Sequence, residues 1–70
     1  MKRFKANQRV LVKVDDNERT INKLGTVARL RRGDEGAWIN LDERSEHCPF
    51  PEGDSRANNI LAYPEDCEEA

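Results

Sequence analysis

The sequence predicts an all-β fold, a small barrel of about five strands with one 3-10 turn near the C-terminus. Three observations carry this. Apolar residues gather in four short runs, at 10–14, 24–30, 37–41 and 60–63. The first and third alternate with the two-residue period of half-buried strands. No helical period persists for three turns.

The first strand is read over residues 9–14, where Val10, Val12 and Val14 occupy alternate positions. The polar stretch from Asp15 to Arg19 opens a loop expected to last until about Leu24. The second strand is residues 24–32. Gly33-Asp34-Glu35-Gly36 is a hairpin turn, and the third strand, residues 37–42, alternates strictly. With Asp34 and Glu35 at the tip, Leu30 opposes Ile39, Ala28 opposes Leu41, Arg31 opposes Trp38 and Arg29 opposes Asn40. Leu24, Thr26, Ala28, Leu30, Ala37, Ile39 and Leu41 then face inward, and Val27, Arg29, Arg31, Trp38, Asn40 and Asp42 face outward. Residues 43–58 are a long connection in which Pro49 and Pro51 flank Phe50, expected to cap one end of the core. Residues 59–63 form the fourth strand, Pro64-Glu65-Asp66 a turn, and Cys67 begins a short last strand. The predicted core is Val10, Val12, Val14, Leu30, Ile39, Leu41 and Ile60.

At 70 residues the chain is expected to be a single domain, 1–70. Hydrophobic residues make up 36% and charged residues 37%, a balance that suits disorder when evenly spread. The clustering of the apolar residues points instead to a thin folded core. Such a core is too small to hold a ligand pocket of ordinary size, which counts against an enzyme. Met1 to Lys5 is a charged start with no apolar stretch after it, so no signal peptide is expected. No run approaches the ~18 apolar residues of a membrane helix, and a cytoplasmic location is the expectation.

The charge is lopsided. Residues 1–32 hold ten Lys/Arg against three Asp/Glu, and residues 33–70 hold two against eleven. The ordinary account is mutual compensation within one sheet.

Strands near residues 10, 26, 38 and 61, a long first loop, a hairpin and a 3-10-like turn before a short last strand resemble the SH3-like layout over nearly the whole chain. Residues 10–14 followed by Gly25-Thr26-Val27 resemble the opening of KOW domains of transcription and ribosomal proteins. The spacing, with an Asn58-Asn59 pair before the last long strand, is similar to that of the small SH3-like component of photosystem I. The KOW resemblance implies nucleic-acid binding through a basic surface. This chain is acidic overall, which ranks a protein partner first.

Soft metal ligands are limited to His47, Cys48 and Cys67. The first two are adjacent and the third is alone, whereas a closed zinc site takes four ligands in spaced pairs. No metal, cofactor or disulfide framework is expected. Ser45 and Ser55 lie near His47 in sequence, but no orienting group or oxyanion hole is recognisable, so no catalytic residue is assigned. One constellation stands out. Arg29, Arg31, Trp38 and Asn40 share the outward face, and Tyr63 is a further aromatic ahead of Pro64. An indole flanked by guanidinium groups gives an apolar anchor with charge and planar stacking. The ordinary alternatives are a cation–π pair of Arg31 on Trp38, or a ring covered by the 43–58 connection. The expected function is a small protein-binding or regulatory accessory module, with Trp38, Arg29 and Arg31 as its hotspot and the acidic second half steering a basic partner. The alternatives are a KOW-like nucleic-acid binder and an acidic mimic of nucleic acid built from residues 42–54 and 65–69.

Overall fold

The computed structural model describes residues 1–70. It is all-β: β1 (Arg9–Asp16), β2 (Arg19–Leu30), β3 (Ala37–Leu41), β4 (Asn59–Ala62) and β5 (Cys67–Glu69), with one 3-10 turn, Pro64–Asp66, before β5. The strands form one antiparallel sheet in the order β4-β3-β2-β1-β5. The sheet stays open rather than closing into the expected barrel: β4 and β5 are its two edges, and no ladder joins them. No helix is long and apolar enough to cross a membrane.

The first loop is a correction. β1 runs on to Asp16 and pairs with β2 all the way to Arg19, so only Asn17 and Glu18 lie at the tip. Both hold positive φ, 52° and 63°. That is the mirror-image two-residue turn whose twist matches the strands it joins. Residues 19–23 have the composition of a loop because Arg19, Thr20 and Asn22 are exposed and Lys23, partly buried, is paired with Asp16. Ile21 opposite Val14 is the apolar cross-strand pair that holds it.

The β2–β3 register also differs. The predicted two-residue tip is a longer turn over residues 31–36, closed by Arg31 N–H on the Gly36 carbonyl at 3.0 Å and by Gly36 N–H on Asp34 Oδ1 at 2.8 Å. Gly33 takes φ +87° within it. A bulge lies between Val27 and Arg29. Below the bulge Val27 opposes Ile39 and Thr26 opposes Asn40; above it Arg29 opposes Trp38 and Leu30 opposes Ala37. An inserted residue shifts which side chains share a face. Val27 is therefore fully buried, while Leu24 and Leu30 are 39% and 48% exposed. Ala28 is exposed and Thr26 sits outward beside Arg9, whose Nη1 donates to Thr26 Oγ1 at 2.9 Å.

The core gathers Phe4, Val10, Val12, Val14, Val27, Ala37, Ile39, Leu41, Cys48, Ala62 and Cys67, with Met1 and Ile60 packed against it. Val10, Val12, Val14, Ile39 and Leu41 are buried as expected; Ile60 is at its margin, and Leu30 is outside it. Gly25 is in the core layer because nothing larger fits. A Cβ there would stand 2.8 Å from Ile39 Cγ2 and 2.9 Å from the Asn40 carbonyl.

Candidate functional site: an aromatic groove bordered by arginines

The outward face of β3 meets the 43–58 connection. Alternation turns Trp38 outward between Ala37 and Ile39, and the bulge brings Arg29 directly opposite it. Leu61 on β4 is its partner on the other side. Phe50 does not cap the core. It lies half-buried against Trp38, ring centroids 5.5 Å apart and planes tilted by 51°, an arrangement that favours contact between aromatic edges and faces.

Phe50 is held from two sides. Arg44 Nη2 donates to its carbonyl at 2.7 Å. The Arg56 guanidinium carbon lies 4.0 Å from its ring centroid, within cation–π range. Arg56 is itself fixed: Nε and Nη2 each donate to a different oxygen of Asp54 at 3.0 Å, and its backbone N–H donates to Asp54 Oδ1 at 2.7 Å. These hydrogen bonds, first from the side chain and then from the backbone, pull the Asp54 carboxyl down to about 2.

The result is a groove of about 360 Å³ lined by Arg29, Trp38, Phe50, Arg56 and Asn59. A second recess of about 510 Å³ shares Arg29 and Trp38 with it and adds Leu30, Arg31 and Arg32. Trp38 is half-buried, so the 43–58 connection covers part of the ring and leaves part open. Of the residues singled out from sequence, Trp38 and Arg29 line the groove and Arg31 lines the adjoining recess. Asn40 is exposed lower on the same face, opposite Thr26 and Asn59, and lines neither. Tyr63 is engaged elsewhere: its hydroxyl accepts from Arg31 Nη1 at 3.0 Å and donates to Asp34 Oδ2 at 3.2 Å, fastening the end of β4 to the β2–β3 turn. Sequence reasoning does not find Phe50, Arg56 and Asn59 as groove residues. The flanking prolines signal an unusual connection at Phe50, but nothing local signals that it folds over Trp38.

A second cluster is also invisible in sequence. Donor atoms of Asp16, Glu46 and His47 lie within 4.8 Å of one another. Their carboxylates are already engaged. Asp16 accepts from Ser45 Oγ at 2.8 Å and faces Lys23 Nζ at 3.5 Å, and Glu46 accepts from Asn17 N–H at 3.1 Å. This network ties the 43–58 connection to the β1–β2 turn, with Ser45 buried at its centre. Cys48 and Cys67 are free and buried, away from solvent, while His47 is exposed. Burial, helped by nearby Asp66, pushes the Cys67 thiol up to about 11, so it is a packing residue rather than a nucleophile.

No protein-family model matches this chain, no curated protein matches it, and no solved structure matches it. The chemistry of the groove therefore has to be read from its own residues.

Proposed function

We propose that this protein is a small non-enzymatic binding module that engages a protein partner through the Trp38–Phe50 groove. One observation carries the reading. An aromatic pair stands partly exposed on a sheet face, steadied by Arg44, Arg56 and Asp54, instead of being folded into the core. Buried aromatic anchors bordered by arginine are what recurs where binding energy concentrates. The strand order and the 3-10 turn ahead of a short last strand support kinship with SH3-like small barrels, in an opened form.

The distribution of basic residues favours a protein over a nucleic acid. Lys2, Arg3 and Lys5 share a surface with Glu68 and Glu69, and Arg3 and Arg31 share another with Asp34 and Glu35. The basic half of the sequence is thus dispersed among carboxylates rather than gathered in one stripe. A nucleic-acid role is the second reading, favoured by the arginines at 29, 31 and 32 around one indole. The acidic-mimic reading draws less support, because Asp42 is paired with Arg9 and Asp54 with Arg56.

Affinity capture from the native cell, with identification of proteins and recovery of nucleic acid, tests the reading. The partner should be a protein that Trp38→Ala combined with Arg29→Ala no longer retains, while the variant keeps its β-sheet circular-dichroism spectrum. A partner retained by the double variant refutes it. Binding that falls steeply with salt and follows recovered nucleic acid turns the case to the second reading.

A further inference from the structure

Resting on that reading, we infer that the segment bound in the groove is acidic: one apolar side chain enters between Trp38 and Phe50, and carboxylates flanking it in sequence meet Arg29 and Arg32. The chain has 14 Asp/Glu against 12 Lys/Arg, and its net charge of −2 would by itself draw basic partners. The groove has the opposite character. Neither it nor the recess beside it is lined by a single carboxylate. Every other surface recess is: Asp34 and Glu35 line one, Glu68 and Glu69 another, Asp42 and Glu43 a third.

The arginines around Trp38 are not equivalent. Arg31 is committed to Asp34 and Tyr63, and Arg56 to Asp54. Arg29 and Arg32 are exposed and make no ion pair or side-chain hydrogen bond. Two guanidinium groups left uncompensated beside an aromatic floor, where the neighbouring Arg31 and Arg56 are each paired with a carboxylate, are complementary to carboxylates on a partner. Guanidinium matches carboxylate geometry in a two-point contact that lysine cannot make. A nucleic-acid strand fits less well. Two free arginines neutralise too few phosphates for firm electrostatic binding. A groove of about 360 Å³ has room for an anchoring side chain rather than a run of stacked bases.

The test is selection of a random linear peptide library on the full chain, with Trp38→Ala as counter-selection, followed by titration of the enriched peptides, of their Lys/Arg-for-Asp/Glu reversals and of a ten-nucleotide oligothymidylate. Enriched peptides should carry one aromatic or aliphatic residue flanked by Asp or Glu and should shift the Trp38 indole N–H resonance. The exposed charge reversal Arg29→Glu with Arg32→Glu should keep the thermal midpoint, weaken the acidic peptide by about tenfold or more and strengthen its reversed counterpart. Enrichment of basic or uncharged peptides, no enrichment at all, tighter binding of the oligothymidylate, or indifference to the charge reversal overturns the inference. Its failure is separable from failure of the module reading. A cellular partner lost on Trp38→Ala with no acidic preference sinks only the inference, whereas a partner indifferent to Trp38→Ala sinks both.

Discussion

The two faces of β3 are one residue apart and have opposite fates. Ala37, Ile39 and Leu41 are shut against β2, β4 and the core, with Ile39 fully inaccessible. Trp38, the largest side chain in the same strand, is turned out and partly exposed, with Phe50 packed against it. A domain this thin has little apolar surface to spare, so an aromatic left on the outside contributes less to stability than it could inside. The inner face holds the fold together. The outer face keeps a ring in place without closing over it.

Shortening Ile39 to alanine is the strongest way to break this contrast if it is wrong. Loss of a fully buried branched side chain costs about 2–5 kcal/mol, enough to unfold much of a small domain whose total stability is about 5 kcal/mol. A thermal melt of Ile39→Ala that matches the wild type would show that the inner face is not the core. Gly25→Ala comes next, because its methyl would press on Ile39 and the Asn40 backbone. Overpacking of this kind costs about 1–3 kcal/mol, and chemical denaturation should show a lowered midpoint. An unchanged midpoint would mean that β2 and β3 can part at little cost.

The inner face is the legible one. Alternating Val10, Val12, Val14, Ile39 and Leu41 requires no knowledge of partners, because a two-residue period with one apolar set has a single way to face a core. What alternation misses is set by pairing between segments. The bulge after Val27 carries no turn residue and changes which residues of β2 share a face with β3, so an unbroken register puts Leu30 inside and Val27 outside, the reverse of what is found. The Asn17-Glu18 turn is hidden by lacking the glycine usual at its second position. Two of the five groove residues are legible for a similar reason: Trp38 and Arg29 are outward by strand parity, and although the predicted register is wrong, they are direct neighbours. Phe50 and Arg56 come from a connection whose path is fixed by Ser45, Arg44 and Asp54, contacts over long and short range that no periodicity encodes, and Asn59 at the start of β4 reaches the groove through the pairing of β4 with β3.

Trp38→Ala should cost less than Ile39→Ala, because it leaves a gap at the surface rather than a cavity in the core; the lost aromatic pair alone is worth about 1 kcal/mol. Leu30→Ala should fall within about 0.5 kcal/mol of wild type, as exposed substitutions do. Measured together by denaturant unfolding, the order Ile39, Trp38, Leu30 is the signature of the contrast between faces. A Trp38 loss equal to that of Ile39 would put the indole in the core and remove the groove.

The smallest effect concerns how the outer face is held and is read through pH. Asp54 has its carboxyl drawn down to about 2 by the Arg56 side chain and backbone. A carboxyl with a folded pKa below its ordinary 3.8 contributes stability that is fully present above that value. The contribution fades as pH falls from about 3.8 toward 2, as the unfolded chain takes up the proton first. Protonation removes the acceptor that fixes Arg56 and so loosens Arg56 from Phe50, and Phe50 from Trp38. The single tryptophan reports this directly. Its fluorescence should change with a midpoint near pH 2, before or alongside any loss of the far-ultraviolet sheet signal, and Asp54→Asn should show the altered fluorescence already at neutral pH. A midpoint in the ordinary carboxylate range, or an Asp54→Asn variant with wild-type fluorescence, would mean that Phe50 stays on Trp38 without Arg56, and that the outer face, like the inner one, is held by packing alone.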